Sequence, residues 1–307
     1  SCSRSRDQYV SMSNRNYDEL RIQMMTPQNK NFNSYTDNQK TVLDLEKKYF
    51  DILYQIFSQK SFNDELKEIM KNINQDWRTI HKVWDKENVV DLAVERHINF
   101  RVYNDPLLKD CIKSIYPSVI SSDTAFVTDD AVISIDSKTI SVGGNFNDWK
   151  YQTVGCNQFS FDNQLNFYAK NKKTNVPITS LLEPYYKSKP VLSFFLSTLY
   201  FIDKENESDS WYVDSDHINK PYYNSKVKDK TRVKDEIFTK NIKFACMPHR
   251  EISNLFDYKI VDGVKSYKPA DVPKPTGTSS VRVKHESLTN RYDSNGNFWK
   301  GFESWTI

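Results

Sequence analysis

No apolar run in this sequence approaches the roughly 18 residues that a membrane-spanning helix requires. The N-terminal stretch SCSRSRDQYVSMS has no apolar signal core either. Cysteine is sparse. Cys2, Cys111, Cys156 and Cys246 lie far apart with no CxxC pair and no Cys/His ligand spacing, which argues against a zinc site and against a disulfide scaffold. A reducing cytoplasm is the simplest setting for such a chain. Glycine is scarce at 7 residues while Asn and Lys abound, a compositional trait that carries no function. The formal charge of +3 is too small to announce a polyanionic partner, so a nucleic-acid reading has to rest on local clusters.

What is present is enough to fold. A chain of 307 residues can bury a sizeable core, and an aromatic share of 14% makes up for a modest 38% of apolar residues. From Thr41, the residues Val42, Leu45, Tyr49, Ile52, Leu53 and Ile56 recur at steps of three and four, predicting an amphipathic helix. Leu66, Ile69, Met70, Ile73 and Trp77 predict a second over 62–80, and Val90, Val94 and His97 a third over 86–100. The pattern then changes to period two over 119–140, the β signature. Further strands are expected over 158–168, 190–202 and 242–247; the second is apolar almost throughout and reads as a central strand buried on both faces. Residues 1–38 and 203–235 read as irregular, and 263–307 as a basic segment ending in the aromatic tail Phe298, Trp299, Phe302 and Trp305, which should pack against the body.

One stretch concentrates chemistry: SSDTAFVTDDAVISIDSKTI, residues 121–140. Strand alternation points Ile133 and Ile135 one way and Asp136 and Lys138 the other, the last two about 6 to 7 Å apart. Thr128 to Ala131 is a plausible turn, with Asp129 and Asp130 as its structural residues. Antiparallel pairing across it brings Asp123 to the level of Asp136 and Lys138. Two carboxylates and an ammonium then converge. Such carboxylates form a hard-oxygen site suited to Mg²⁺, and the lysine can hold a water and offset charge developing on a scissile phosphate. The competing reading of the same residues is an ion pair on an edge strand facing solvent.

Asp123 followed by an apolar strand and Asp136-Ser137-Lys138 resembles the PD-(D/E)xK nuclease motif in the context of type II restriction endonucleases. Ser122 stands where the motif has Pro, and Asp136 where it more often has Glu. The resemblance implies an α/β fold with a restriction-endonuclease-like mixed sheet flanked by helices, an N-terminal helical region and a basic C-terminal arm. It also implies Mg²⁺-dependent, sequence-specific cleavage of double-stranded DNA to leave 5′-phosphates, carried out by a homodimer. Asp123 and Asp136 would be the acids, Lys138 the lysine, and Glu95 a helical carboxylate joining the metal. On this reading the chain divides into an arm over 1–38, a nuclease domain over 39–262 with its helical part at 41–100 and catalytic sheet at 119–202, and a DNA-contacting arm over 263–307.

Amides and hydroxyls crowd the segment after the motif. Asn147, Lys150, Gln152, Asn157, Gln158 and Ser160 are candidates for groove and phosphate contacts, as are Arg282 and Lys284 in the basic C-terminal segment. His97 and His285 are weak candidates for a general base. Two alternatives stand beside the restriction reading: a repair or phage nuclease that recognises DNA structure, and a non-catalytic DNA-binding protein whose hairpin ion pair is incidental.

Overall fold

The computed structural model describes residues 22–25, 28, 30–80, 86–118, 122–141, 149, 151–155, 158, 169–170, 177–178, 182–203, 210–212, 241–256, 258–260 and 280–307. Three α-helices come early: α1 (Asp37–Phe57), α2 (Lys60–Ile80) and α3 (Lys86–Asn104). Helix α1 begins before the apolar stripe does. Thr36 caps it, its hydroxyl accepting the Gln39 N–H while the Gln39 side chain accepts the Thr36 N–H, and this reciprocal box supplies a start that periodicity cannot show. Helix α3 runs one turn past Phe100, with Val90, Val94, His97, Ile98 and Val102 buried. No helix among the described residues is long and apolar enough to cross a membrane.

The strands are, in chain order, β1 (Ile22–Met25), β2 (Ser114–Ile115), β3 (Thr124–Val127), β4 (Val132–Ser141), β5 (Tyr151–Gly155), β6 (Ala169–Lys170), β7 (Pro177–Ile178) and β8 (Tyr185–Tyr186). There follow β9 (Lys189–Asp203), β10 (Ser210–Tyr212), β11 (Ile242–Met247), β12 (Tyr258–Ile260), β13 (Ser280–Lys284), β14 (Arg291–Tyr292), β15 (Phe298–Trp299) and β16 (Phe302–Trp305). The main sheet has the order β16-β11-β9-β4-β3-β2, with β8 and β10 also pairing with β9. It is mixed: β4 and β9 are parallel and the neighbouring pairs antiparallel. As its composition predicts, β9 is central, and 190–200 are buried throughout.

Two cores sandwich this sheet. On one face Ile133, Ile135, Phe194, Leu196 and Phe244 pack with Tyr49, Leu53, Phe62, Leu66, Val94 and Ile98 of the helices. On the other, Phe195, Ala245 and Met247 pack with Val154 of β5 and Val283 of β13. These last belong to a second sheet, β12-β1-β13-β5. The molecule is thus layered as helices, mixed sheet and second sheet, with the antiparallel pair β6–β7 and the hairpin β14–β15 as additions.

Several expectations change. Ile22–Met25, without a visible pattern, forms β1 between β12 and β13. Tyr151–Gly155, in the amide-rich segment for which no strand was expected, is β5: Gln152 and Val154 are buried while Tyr151 and Thr153 are half-buried, an alternation masked by the polar Gln152. Of the strand expected over 158–168 only Gln158 is described, and it lies in a turn. Within 203–235, expected to be loop, Ser210–Tyr212 pairs with the end of β9. The aromatic tail does pack, through Trp299 on Phe50 and Trp305 on Tyr54. Arg291, within the segment expected to be a basic DNA-contacting arm, is instead fully buried and ion-paired with Glu46 of α1.

Candidate active site

The hairpin forms as its alternation predicts. Thr128 closes the turn, its N–H and hydroxyl donating to the Ala131 carbonyl, while Asp130 receives Lys48 and Tyr49 from α1. The ladder pairs Thr124 with Ile135, which brings Asp123 level with Asp136. Asp123 Oδ2 accepts the backbone N–H of Ser137 at 2.6 Å. Lys138 Nζ lies 2.5 Å from Asp136 Oδ2, a close ion pair. Asp136 Oδ1 accepts the side-chain N–H of Gln158 at 2.8 Å. An apolar strand can carry these charges because Ile133 and Ile135 anchor its opposite face among the helices.

Asp136 is 3% exposed. Burial pushes its pKa up to about 6; Lys138 pulls it down, and the charges of Asp123 and Glu95 push it further up. Asp123 is also raised by burial, against the Ser137 N–H and the Lys138 charge. Glu95, half-buried on α3, is raised by burial and by Asp123. Three carboxylates therefore share one field. Asn99, one turn after Glu95, ties α3 to this hairpin: its carbonyl oxygen accepts the Thr124 hydroxyl at 2.9 Å and its amide reaches the Asp123 carbonyl.

The donor set fits a small hard divalent cation. Two aspartate carboxylates face one place in a largely buried setting, and Asp136 is costly to ionise there without added positive charge. No three His, Cys, Asp or Glu among the described residues converge into a metal cage. Glu95 thus stands beside the two aspartates as an electrostatic neighbour, and the expected three-carboxylate cluster is not assembled. Mg²⁺ needs few protein carboxylates, since waters and phosphate oxygens complete its shell.

The remaining candidates divide. Gln152 is 1% exposed, on the dry face of β5, and among the described residues its amide donates to the Thr153 carbonyl. Gln158 is turned to Asp136 instead of outward. Lys284 is half-buried opposite Tyr151, and Arg282 pairs in register with Thr153. Asn147, Lys150, Asn157 and Ser160 lie outside the described residues. The two histidines are packing residues: buried His97 has Nε2 2.9 Å from the Phe62 carbonyl oxygen and its pKa is lowered by burial, and His285 stacks on Phe302. Sequence reasoning missed Asn99 and assigned Gln158 to DNA instead of to Asp136, because their partners lie 25 and 22 residues away and no motif marks the pairings.

Residues 18–206 match the family profile described as Type II restriction enzyme MwoI, N-terminal domain. No curated protein sequence matches the chain. Among solved structures, the restriction endonuclease BglI bound to its DNA recognition sequence aligns with a TM-score of 0.54 and 15% identity, over 88% of this chain and 92% of its own. The tetrameric restriction endonuclease SfiI bound to cognate DNA aligns with a TM-score of 0.44 and 12% identity, over 92% and 98%. At such identities the likeness to BglI is one of fold: a mixed sheet flanked by helices, as the motif implies.

Proposed function

This chain belongs to the family of the type II restriction enzyme MwoI N-terminal domain, and from that premise we propose that it is a Mg²⁺-dependent, sequence-specific endonuclease of double-stranded DNA. The observation that carries the reading is the pairing of Asp123 with Asp136 and Lys138 on adjacent strands, the first acid held by a backbone N–H of the second strand. Asp123 and Asp136 hold the metal, with Glu95 adding negative charge beside them. A cation held there would supply Lewis-acid polarisation of the phosphate and lower the pKa of water.

The protein's own groups do the rest. Lys138 holds the attacking water and offsets charge building on the phosphate oxygens. The new O–P bond forms as the bond to the 3′ oxygen breaks, leaving the 5′ side with its phosphate. The strands β5 and β13 form a ribbon with one dry face, carrying Val154 and Val283. Lys284 and Arg282 on β13 are the proposed DNA contacts, with Asn147, Lys150, Asn157 and Ser160 in the segments flanking β5. A homodimer would place one such centre on each strand of a duplex.

Digestion of a plasmid with the purified protein and Mg²⁺ tests this directly. Discrete fragments whose ends accept ligation without added phosphate support it. A smear would point to a nuclease that does not read sequence, and intact DNA under every divalent metal would remove the catalytic reading.

A further inference from the structure

Gln158 lies just past the end of β5, in a turn where its own N–H donates to the Gly155 carbonyl at 3.0 Å. Its side chain is engaged at both ends. The Gly155 N–H donates to Oε1 at 2.8 Å, and Nε2 donates to Asp136 Oδ1 at 2.8 Å. The amide orientation follows from chemistry: a backbone N–H can only donate and a buried carboxylate oxygen accepts, so oxygen must face Gly155 and nitrogen Asp136. A glutamine that reads a base edge needs that same pair of atoms free.

The layering explains why β5 reaches the acid at all. Asp136 is in register with Phe195, whose ring belongs to the core between the main sheet and the second sheet. Asp136 therefore points toward the layer that holds β5 and β13, away from the helices. The strand ending at Gly155 is hydrogen-bonded along its length to β13, which carries Arg282 and Lys284.

We propose that Gln158 is a positioning residue for Asp136, joining the ribbon that faces DNA to the carboxylate that holds the metal. The inference rests on the reading of Asp136 as a metal-holding acid. Lys138 lies against Oδ2 and Gln158 occupies Oδ1, so the carboxylate plane is held from two sides. Without Gln158, Asp136 is free to turn onto Lys138 alone, engaging the acid and the ammonium with each other instead of with metal and water. A displacement of β5 and β13 on binding DNA would be passed to Asp136 by this side chain, a route by which correct recognition can set the acid for cleavage.

The test uses the full-length protein, Gln158→Leu, Gln158→Glu and, as a reference, Asp136→Asn. Three quantities are measured: Mn²⁺ affinity by calorimetry, DNA affinity in Ca²⁺ by fluorescence anisotropy, and single-turnover cleavage in Mg²⁺ at saturating protein. Gln158→Leu should bind DNA within about twofold of the parent while Mn²⁺ affinity and cleavage fall about 10- to 100-fold, as for other residues that orient a metal ligand. Gln158→Glu keeps an acceptor for Gly155 but sets a second carboxylate against Asp136, so its cleavage should be lower still. Parental Mn²⁺ affinity and cleavage in Gln158→Glu would mean that the residue only closes the turn, and the proposal falls. Weak DNA binding with a parental saturated rate in Gln158→Leu would make it a DNA contact, which also overturns it. Unchanged Mn²⁺ affinity in Asp136→Asn would remove the metal-site reading itself and this inference with it. Loss in Asp136→Asn with none in Gln158→Leu rejects the inference alone.

Discussion

The Ser137 N–H and Asp123 Oδ2, 2.6 Å apart, tie the first acid to the strand that carries the second acid and the lysine. The site is therefore a property of the β3–β4 pair, and each of its charged members should matter separately. Asn at Asp123 or Asp136, or Met at Lys138, should reduce cleavage at least about 100-fold, the scale of losing one group that stabilises developing charge. DNA affinity without divalent metal, read by gel shift, should stay near that of the parent. Parental cleavage by the Asp136→Asn variant would defeat the assignment.

The metal-free protein should lose stability as pH rises through the titration of Asp136. Its folded pKa is raised to about 6, above the ordinary carboxylate value, so the fold binds this proton more tightly than the unfolded chain does. That contribution is complete below about pH 4 and gone above about pH 6. Two pKa units at about 1.4 kcal/mol each bound the effect near 3 kcal/mol. Thermal melts of Asp136→Asn should gain on the parent at pH 8 and show no gain at pH 4. A gain of equal size at both pH values would contradict it.

Glu46 and Arg291, 245 residues apart, form an ion pair with neither side chain exposed. The His249 N–H also donates to Glu46, and the Arg291 guanidinium lies over the Trp299 ring. Removing one partner strands a buried charge. Arg291→Met should cost about 3 to 5 kcal/mol in urea unfolding, whereas Glu46→Leu combined with Arg291→Met should recover much of that loss.

Tyr49 of α1 donates to Asp130 Oδ1 at 2.5 Å and lies 2.8 Å from the Thr128 hydroxyl, pinning the hairpin turn to the helical layer. Tyr49→Phe removes a hydrogen bond to a charged acceptor, a loss of about 1.5 to 3 kcal/mol. Cleavage at 25 °C should remain within a few-fold, because Asp123 and Asp136 keep their own partners. A chemical denaturation curve and a single-turnover assay on one preparation measure both.

Local pattern made a good part of this legible. The helices announce themselves because Val42, Leu45, Tyr49 and Leu53, or Leu66, Met70 and Ile73, repeat at helical spacing with one face to bury. The hairpin is readable because its alternation and its Thr128–Ala131 turn are short-range, and level pairing of Asp123 with Asp136 follows from counting across that turn. The wholly buried β9 is readable because only a strand covered on both faces can be so apolar. Type II restriction chemistry was suggested by the same few residues.

Tertiary structure decided everything whose partner is remote. Polar Gln152 hides the alternation of β5, and Ile22–Met25 has no pattern of its own; both become strands because β13 offers them hydrogen bonds. Arg291 reads as part of a basic tail until Glu46, brought from the other end of the chain, desolvates it. Gln158 reads as one more amide in a polar segment until the second sheet packs on the face to which Asp136 points. Spacing along a chain encodes contacts within a helix turn or a hairpin, whereas which sheet covers which face depends on how separate layers bury their apolar sides together, and no short window of sequence contains that.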